Sequence, residues 1–231
     1  MIPKIIHYCW FGGGNKPKLT QKCIESWKNL CPDYKIVEWN ESNFDVNMNE
    51  YTKMCMAQGK WAFLSDYVRL LVVYQNGGIY FDTDVEVIRS FDELLQNEAF
   101  YGFENEQFIN TGLGFGAQKE HPSVQAMINE YDCVINGKPE TIMCPKLNTN
   151  ALLPFGLQQN GKNQTIAHNT KIYSSEYFNP LDDATGLLNI THNTYSINRY
   201  GKSWMNKGLK FRSRLTRPLH RILGTDFFRQ H

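Results

Sequence analysis

The apolar positions of this chain switch between two periods, and the switches mark its elements. Residues 61–86 read WAFLSDYVRLLVVYQNGGIYFDTDVE. Phe63, Leu64, Tyr67, Leu70, Leu71 and Tyr74 recur near every 3.6 residues, which predicts a helix over 61–75. Asn76-Gly77-Gly78 stops it, because glycine accepts the left-handed turn that closes helices. Ile79, Tyr80 and Phe81 form a short buried-strand signal that delivers Asp82-Thr83-Asp84 at its end. Upstream, 5–10 reads as a strand buried on both faces, ending at the loop Gly12-Gly13-Gly14. Leu19, Cys23, Ile24 and Trp27 mark an amphipathic helix, and 34–39 a second strand. A β-α-β unit of this length implies parallel pairing through a right-handed crossover.

The remaining signals are shorter. A weak helix is expected over 50–57, helices over 122–135 and 147–157, and a short helix or turn over 91–95. Strands are expected near 85–88, 100–103, 113–115, 171–173 and 195–197. The run Gly112-Leu113-Gly114-Phe115-Gly116 has the wrong spacing for a phosphate loop and is read as close backbone packing. His7, in mid-strand, is read as a core residue.

Composition refines this picture in two places. At 231 residues the chain suits one large domain burying roughly 70% of its unfolded surface. The formal charge of +1 is unevenly placed. Residues 1–204 carry 17 Lys and Arg against 22 Asp and Glu, whereas 205–231 carry seven Lys and Arg against one Asp. The expectation is a domain over 1–204 and a basic amphipathic C-terminal tail over 205–231 that contacts anionic membrane peripherally. Six cysteines lie scattered without a C-x-x-C pair, and no secretory signal precedes them. Reduced thiols and a cytoplasmic location, peripheral on the inner face of the membrane, follow as expectations. No apolar run is long enough to span a bilayer, and nothing points to nucleic acid.

The chemistry centres on Asp82 and Asp84. Residues two apart on an extended chain point to one side, so both carboxylates can face one hard cation, Mn²⁺ or Mg²⁺. Asp66 and Arg69 lie three apart on the preceding helix, either as a salt pair or where that helix meets a polar cavity. Trp10, at the end of the first strand, either packs in the core or offers its face to a nucleobase.

The run S-D-x-x-R followed by G-G-x-Y-x-D-x-D resembles the DXD-containing sugar-nucleotide glycosyltransferases of the capsular-polysaccharide and Och1-like type, glycosyltransferase family 32. Further blocks of resemblance stand at 2–13 and 109–116, with a weaker one at 194–204. The resemblance implies an α/β fold: a single GT-A-like domain with a mixed, mostly parallel Rossmann-like sheet. It implies a metal-dependent, retaining glycosyltransferase that moves a hexose from a UDP- or GDP-sugar to a glycan or lipid-linked oligosaccharide, in capsule, lipopolysaccharide or exopolysaccharide synthesis. Under it, Trp10, Phe11, Gly12, Asp66, Arg69, Tyr80, Asp82, Ser203 and Trp204 would bind the donor. Asp84 would ligate the metal directly, Asp82 the metal or ribose, and Asn110 would face the sugar. Glu104, Glu106 and Asn110 are the nearest candidates for a covalent nucleophile; front-face attack, needing no enzyme base, is the other route. The C-terminal block usually reads I-H-H-x-x-x-S-W, with its first histidine a further metal ligand. Asn198 stands there instead and offers a carbonyl oxygen, while Arg199 and Lys202 offer positive charge to the diphosphate. A non-catalytic nucleotide-sugar or carbohydrate-binding protein that has lost full metal binding is the alternative.

Overall fold

The computed structural model of the chain describes residues 1–136 and 142–201, so the basic segment 205–231 lies outside the described residues. In chain order come β1 (Ile5–Cys9), α1 (Lys18–Leu30), β2 (Lys35–Trp39), α2 (Glu50–Ala57), α3 (Trp61–Asn76), β3 (Gly78–Tyr80) and β4 (Val85–Val87). Then follow β5 (Ala99–Gly102), β6 (Phe115–Ala117), α4 (Pro122–Glu130), α5 (Asp132–Asn136), α6 (Cys144–Leu152), β7 (Gln164–Ile166), β8 (Thr170–Tyr173), α7 (Ser175–Phe178) and β9 (Ser196–Asn198).

Among the described residues one sheet has seven strands in the order β2-β1-β3-β6-β5-β8-β7. The pairs β1–β2, β1–β3 and β5–β8 are parallel, and β6 and β7 run against the rest. The architecture is therefore α/β with a mixed sheet in which most strands share one direction. The β1-α1-β2 unit pairs in parallel, as its length requires. Two apolar layers cover the sheet. One gathers Leu64, Val68, Val72 and Val73 of α3 with Tyr51, Tyr67, Tyr131 and Met127. The other gathers Trp27 of α1 with Phe81, Phe91, Phe100 and Phe178.

Three expectations shift. Residues 85–88 do not extend the main sheet, because β4 pairs antiparallel with β9 in a separate two-stranded ribbon. Helix α1 holds that ribbon: Trp27 Nε1–H donates to Val85 O at 2.8 Å, and Val87 N–H to Ser26 Oγ at 3.0 Å. The strand expected at 113–115 begins at Phe115, since Thr111–Leu113 close a 3₁₀ turn ending on Gly114 at φ +121°. The helix expected over 122–135 breaks at Tyr131, whose ring joins those of Tyr51 and Tyr67.

His7 takes the core role. Its Nε2 bonds Gly77 O at 2.8 Å, and its Nδ1 accepts Trp39 Nε1–H at 3.1 Å. Burial lowers its pKa to about 4, so it stays neutral and ties β1 to β2 and to the end of α3. Cys9, Cys23, Cys31, Cys55 and Cys144 are buried free thiols. Among the described residues no helix is long and apolar enough to cross a membrane.

The crossing from α3 into β3 leaves no room for a side chain. Gly78 sits at φ +109°, and a Cβ there would lie 2.7 Å from Ile5 O. Gly78→Ala is expected to destabilise the fold by more than about 2 kcal/mol in urea titration, combining strain with a backbone clash. Gly13→Ala, at φ +65° with nothing within 4 Å of its Cβ, should cost only about 1 kcal/mol.

Candidate active site

The strands β1 and β3 lie side by side, and their C-terminal ends carry the residues of interest. That placement follows the rule for open α/β sheets, where ligands meet the carboxyl edge. Helix α3 crosses beneath this edge with Asp66 and Arg69 facing it.

Arg69 is the hub. Its side chain is 3% exposed, and its Nη2 contacts Asp66 Oδ1 at 2.7 Å and Asp82 Oδ1 at 2.9 Å. Its Nε–H donates to Ser65 O at 3.2 Å, and its Nη1 reaches Thr111 Oγ1 at 3.4 Å. The guanidinium stands 5.0 Å over the Tyr80 ring, whose hydroxyl donates to Asp82 Oδ1 at 3.1 Å. Burial works against the charge on Arg69, but Asp82 and Asp66 offset it and hold its pKa above the usual range.

Gly112 closes the other side. A Cβ there would lie 2.3 Å from Asp82 Oδ2, and the Gly112 N–H donates to Asn110 Oδ1 at 2.7 Å. The Asn110 side chain in turn hydrogen-bonds Glu104, whose pKa burial raises. The glycine run thus serves close packing, with one glycine lying against the site itself.

Asp84 heads the β4–β9 ribbon. Its Oδ2 accepts Gly201 N–H at 2.7 Å, and its backbone O accepts Arg199 N–H at 2.8 Å. Asn198 pairs with Val85 across the ribbon, and its Oδ1 accepts Tyr200 N–H at 2.9 Å. That oxygen keeps a second lone pair. The Arg199 charge, expected to serve the diphosphate, is engaged within the protein: both Nε and Nη2 bond Glu86 Oε2 at 2.6 Å.

At the end of β1, Trp10 is half-buried, its Nε1–H bonded to Gly14 O at 2.7 Å and Lys16 Nζ 5.5 Å over its ring. Lys16 is fixed by Glu38 at 2.8 Å, which also accepts the Tyr8 hydroxyl. Phe11 is 6% exposed and packs edge-on against Phe44, so its ring belongs to the core. Gly12 N–H donates to Glu41 Oε1 at 2.5 Å, and the Trp61 indole occupies the space a Gly12 Cβ would need. Ser203 and Trp204 lie outside the described residues.

Sequence reasoning missed Thr111, Cys144, Trp61, Glu86 and Gly201. Cys144 Sγ stands 4.0 Å from Arg69 Nη1 and 3.9 Å from Asn110 Oδ1, and no spacing pattern links a residue so distant in sequence to the DxD. Among the described residues no three His, Cys, Asp or Glu side chains group as a metal site.

Residues 17–101 match the family described as "Glycosyltransferase sugar-binding region containing DXD motif". That span holds Asp66, Arg69, Tyr80 and both DxD carboxylates. That region of the chain is therefore similar to the DXD glycosyltransferases. Among its relatives, inositol phosphoceramide mannosyltransferase 3 of Schizosaccharomyces pombe is 30% identical over 128 residues, 52% of this chain and 35% of that protein. Inositol phosphoceramide mannosyltransferase 1 of the same yeast is 24% identical over 135 residues, 55% of this chain and 42% of that protein. The chain thus spans well under half the length of these curated relatives. Its fold is that of the solved PaToxG glycosyltransferase, with TM-score 0.54 and 18% identity, covering 66% of this chain and 69% of that one. This places it among GT-A-like glycosyltransferase folds.

The electrostatics of this DXD site fit a divalent cation. Asp66 and Asp82 both pair with Arg69, and Asp84, which accepts the Gly201 N–H, adds a third carboxylate. Burial raises the pKa of Asp66 and Asp84 to about 6, with the Asp82 charge adding to both. Burial raises Asp82 as well, against the pull of Arg69 and Tyr80. The donors are hard oxygens, and a doubly charged cation would balance the excess.

A raised carboxylate pKa means that Asp84 ionises less readily in the fold than in the unfolded chain. Its contribution to stability is full below the ordinary value of 3.8 and is lost as pH rises through about 6. Asp84→Asn should therefore stabilise the metal-free protein at pH 8 by about 1–2 kcal/mol, discounted for partial solvent access, and leave it unchanged near pH 4. Urea titrations at both values, in chelator, check this.

Proposed function

We propose that this chain catalyses metal-dependent transfer of a hexose from a nucleotide-diphosphate sugar to a hydroxyl of a glycan or glycolipid, with retained anomeric configuration. The observation that carries the reading is the unbalanced carboxylate cluster at the carboxyl edge of the sheet, in a region similar to the DXD glycosyltransferases. A bound Mn²⁺ or Mg²⁺ supplies charge neutralisation for the departing nucleotide diphosphate.

The chain's own residues divide the remaining work. Arg69 fixes Asp82 Oδ1 and turns Oδ2 toward Gly112, so Asp82 is held in place, while Asp84 keeps more freedom as the direct ligand. Asp66 orients sugar oxygens, and the buried Arg69 holds Asp66 and Asp82 in place for the donor. Trp10, beside the Gly12–Gly14 loop, stacks on the nucleobase. Asn110, aimed by Gly112 and Glu104, faces the sugar ring. In front-face transfer the bond from the anomeric carbon to the diphosphate breaks as that to the acceptor oxygen forms, and the acceptor proton leaves on the diphosphate. Asn198 supplies a neutral oxygen at the metal.

The names of the yeast relatives favour mannose as the sugar and a lipid headgroup as acceptor, within assembly of capsule, lipopolysaccharide or another surface glycoconjugate. Contact with the inner face of an anionic membrane through the basic residues of 205–231 belongs to the same reading.

Two experiments test it. With Mn²⁺ present, the protein should hydrolyse GDP-mannose or a UDP-hexose slowly, and Asp84→Ala should remove that turnover while leaving the fold intact. Near wild-type turnover by Asp84→Ala in saturating metal sinks the assignment, and a wild type inert toward every donor favours the binding-protein alternative. Trp10→Ala should weaken nucleotide binding by about 1–2 kcal/mol. Unchanged affinity with a lower melting temperature would make Trp10 a packing residue.

A further inference from the structure

The β4–β9 ribbon sets a cation directly beside the carboxylate that must stay free of one. The antiparallel register that pairs Val85 with Asn198 puts Arg199 opposite Asp84, and the Arg199 N–H is bonded to Asp84 O. Directly opposite positions on a ribbon are its closest side-chain neighbours. An arginine there would ordinarily fall onto the carboxylate and neutralise it. It does not, because Glu86, two residues further along the chain, takes the guanidinium instead. Both Nε and Nη2 of Arg199 are drawn to Glu86 Oε2 at 2.6 Å. Lys22 of α1 approaches the other Glu86 oxygen at 3.1 Å. The Glu86 side chain is 14% exposed, well shielded from solvent, whereas the Lys22 side chain is 64% exposed.

We infer that Glu86 is a positioning residue that diverts Arg199 from Asp84, so that the Asp84 charge remains available to a divalent cation. The inference rests on the metal-dependent reading above. It also accounts for an arginine so close to a cation site: the guanidinium anchors the end of β9, while its charge is consumed one pleat away. The backbone of that anchored segment then delivers the Gly201 N–H to Asp84 Oδ2, fixing one oxygen of the carboxylate.

Metal uptake, read without turnover, tests it. The full chain and its variants are titrated with Mn²⁺ alone, following free Mn²⁺ by electron paramagnetic resonance and the shift in melting temperature. In Glu86→Gln, which keeps volume and removes charge, Arg199 is released onto Asp84, and half-saturation should require about tenfold more Mn²⁺. Adding Arg199→Gln should bring the demand back to within about threefold of wild type, because the competitor is then gone. Arg199→Gln alone should need no more Mn²⁺ than wild type, an arm that stands even where Glu86→Gln folds poorly. Equal demand in Glu86→Gln and wild type overturns the inference. So does an unrecovered double variant, or a raised demand in Arg199→Gln alone, either of which makes the pair a structural clasp. A wild type that takes up no Mn²⁺ ends the metal reading itself, whereas normal uptake with an unaltered Glu86→Gln ends only this one.

Discussion

One buried guanidinium between two carboxylates is the constraint on which the site is built. Desolvating Arg69 is unfavourable by several kcal/mol, and only close contacts with good geometry offset that penalty. Asp66 comes from the same helix one turn earlier, but Asp82 comes from beyond the glycine turn. The ion cluster therefore fixes how α3 lies against the end of β3. It also explains the tight glycines around it: Gly77 and Gly78 let the chain reverse directly into the sheet, and Gly112 lets a backbone pass against Asp82. Removing Arg69 would strand two shielded negative charges, whereas removing Asp84 would relieve one. Within one DxD motif the first carboxylate serves the fold and the second does not.

The second half of the motif is carried by different machinery. Asp84 stands where the chain leaves the main sheet for the ribbon, and the ribbon is fixed by α1 through Trp27 and Ser26. Two independently supported segments thus meet at the DxD, one anchored by an ion cluster and one by an indole and a hydroxyl. Their meeting point is polar, with Asp82 and Asp84 partly buried. The net negative charge there lowers the stability of the metal-free protein, which is what binding a cation would recover.

How far the sequence carried the reading depended on whether a feature was local. Helices α2 and α3 and strands β1 and β2 were legible because their periodicity reflects burial by their own neighbours. The Asp66–Arg69 pair was legible as an i, i+3 spacing. Its third member was not assignable by spacing, since Asp82 joins only once β3 is docked. Residues 85–88 read correctly as extended, but a strand pattern does not name its partner, and β9 lies more than a hundred residues away. The same blindness misdirected Arg199. Its charge was visible and its position near the site was right, yet the cross-strand Glu86 that captures it was not. The break at Tyr131 was hidden for another reason: the helical pattern continues through it, and only the aromatic cluster with Tyr51 and Tyr67 draws the chain aside.

Asn198 shows how the two supports interact. Asn198 stands across the ribbon from Val85, one position before the Arg199 that lies opposite Asp84. The asparagine turns its Oδ1 back onto Tyr200 N–H, and Tyr200 is held at φ +49°, a conformation a bulky residue enters only under restraint. The restraint is visible: the Tyr200 hydroxyl donates to Asn179 Oδ1 at 2.9 Å, and Arg199 is clasped by Glu86 on its other side. The side-chain oxygen of Asn198 thus helps to shape the turn that brings Gly201 N–H to Asp84. Asn198 acts on Asp84 through backbone geometry, by way of the turn that presents the Gly201 N–H.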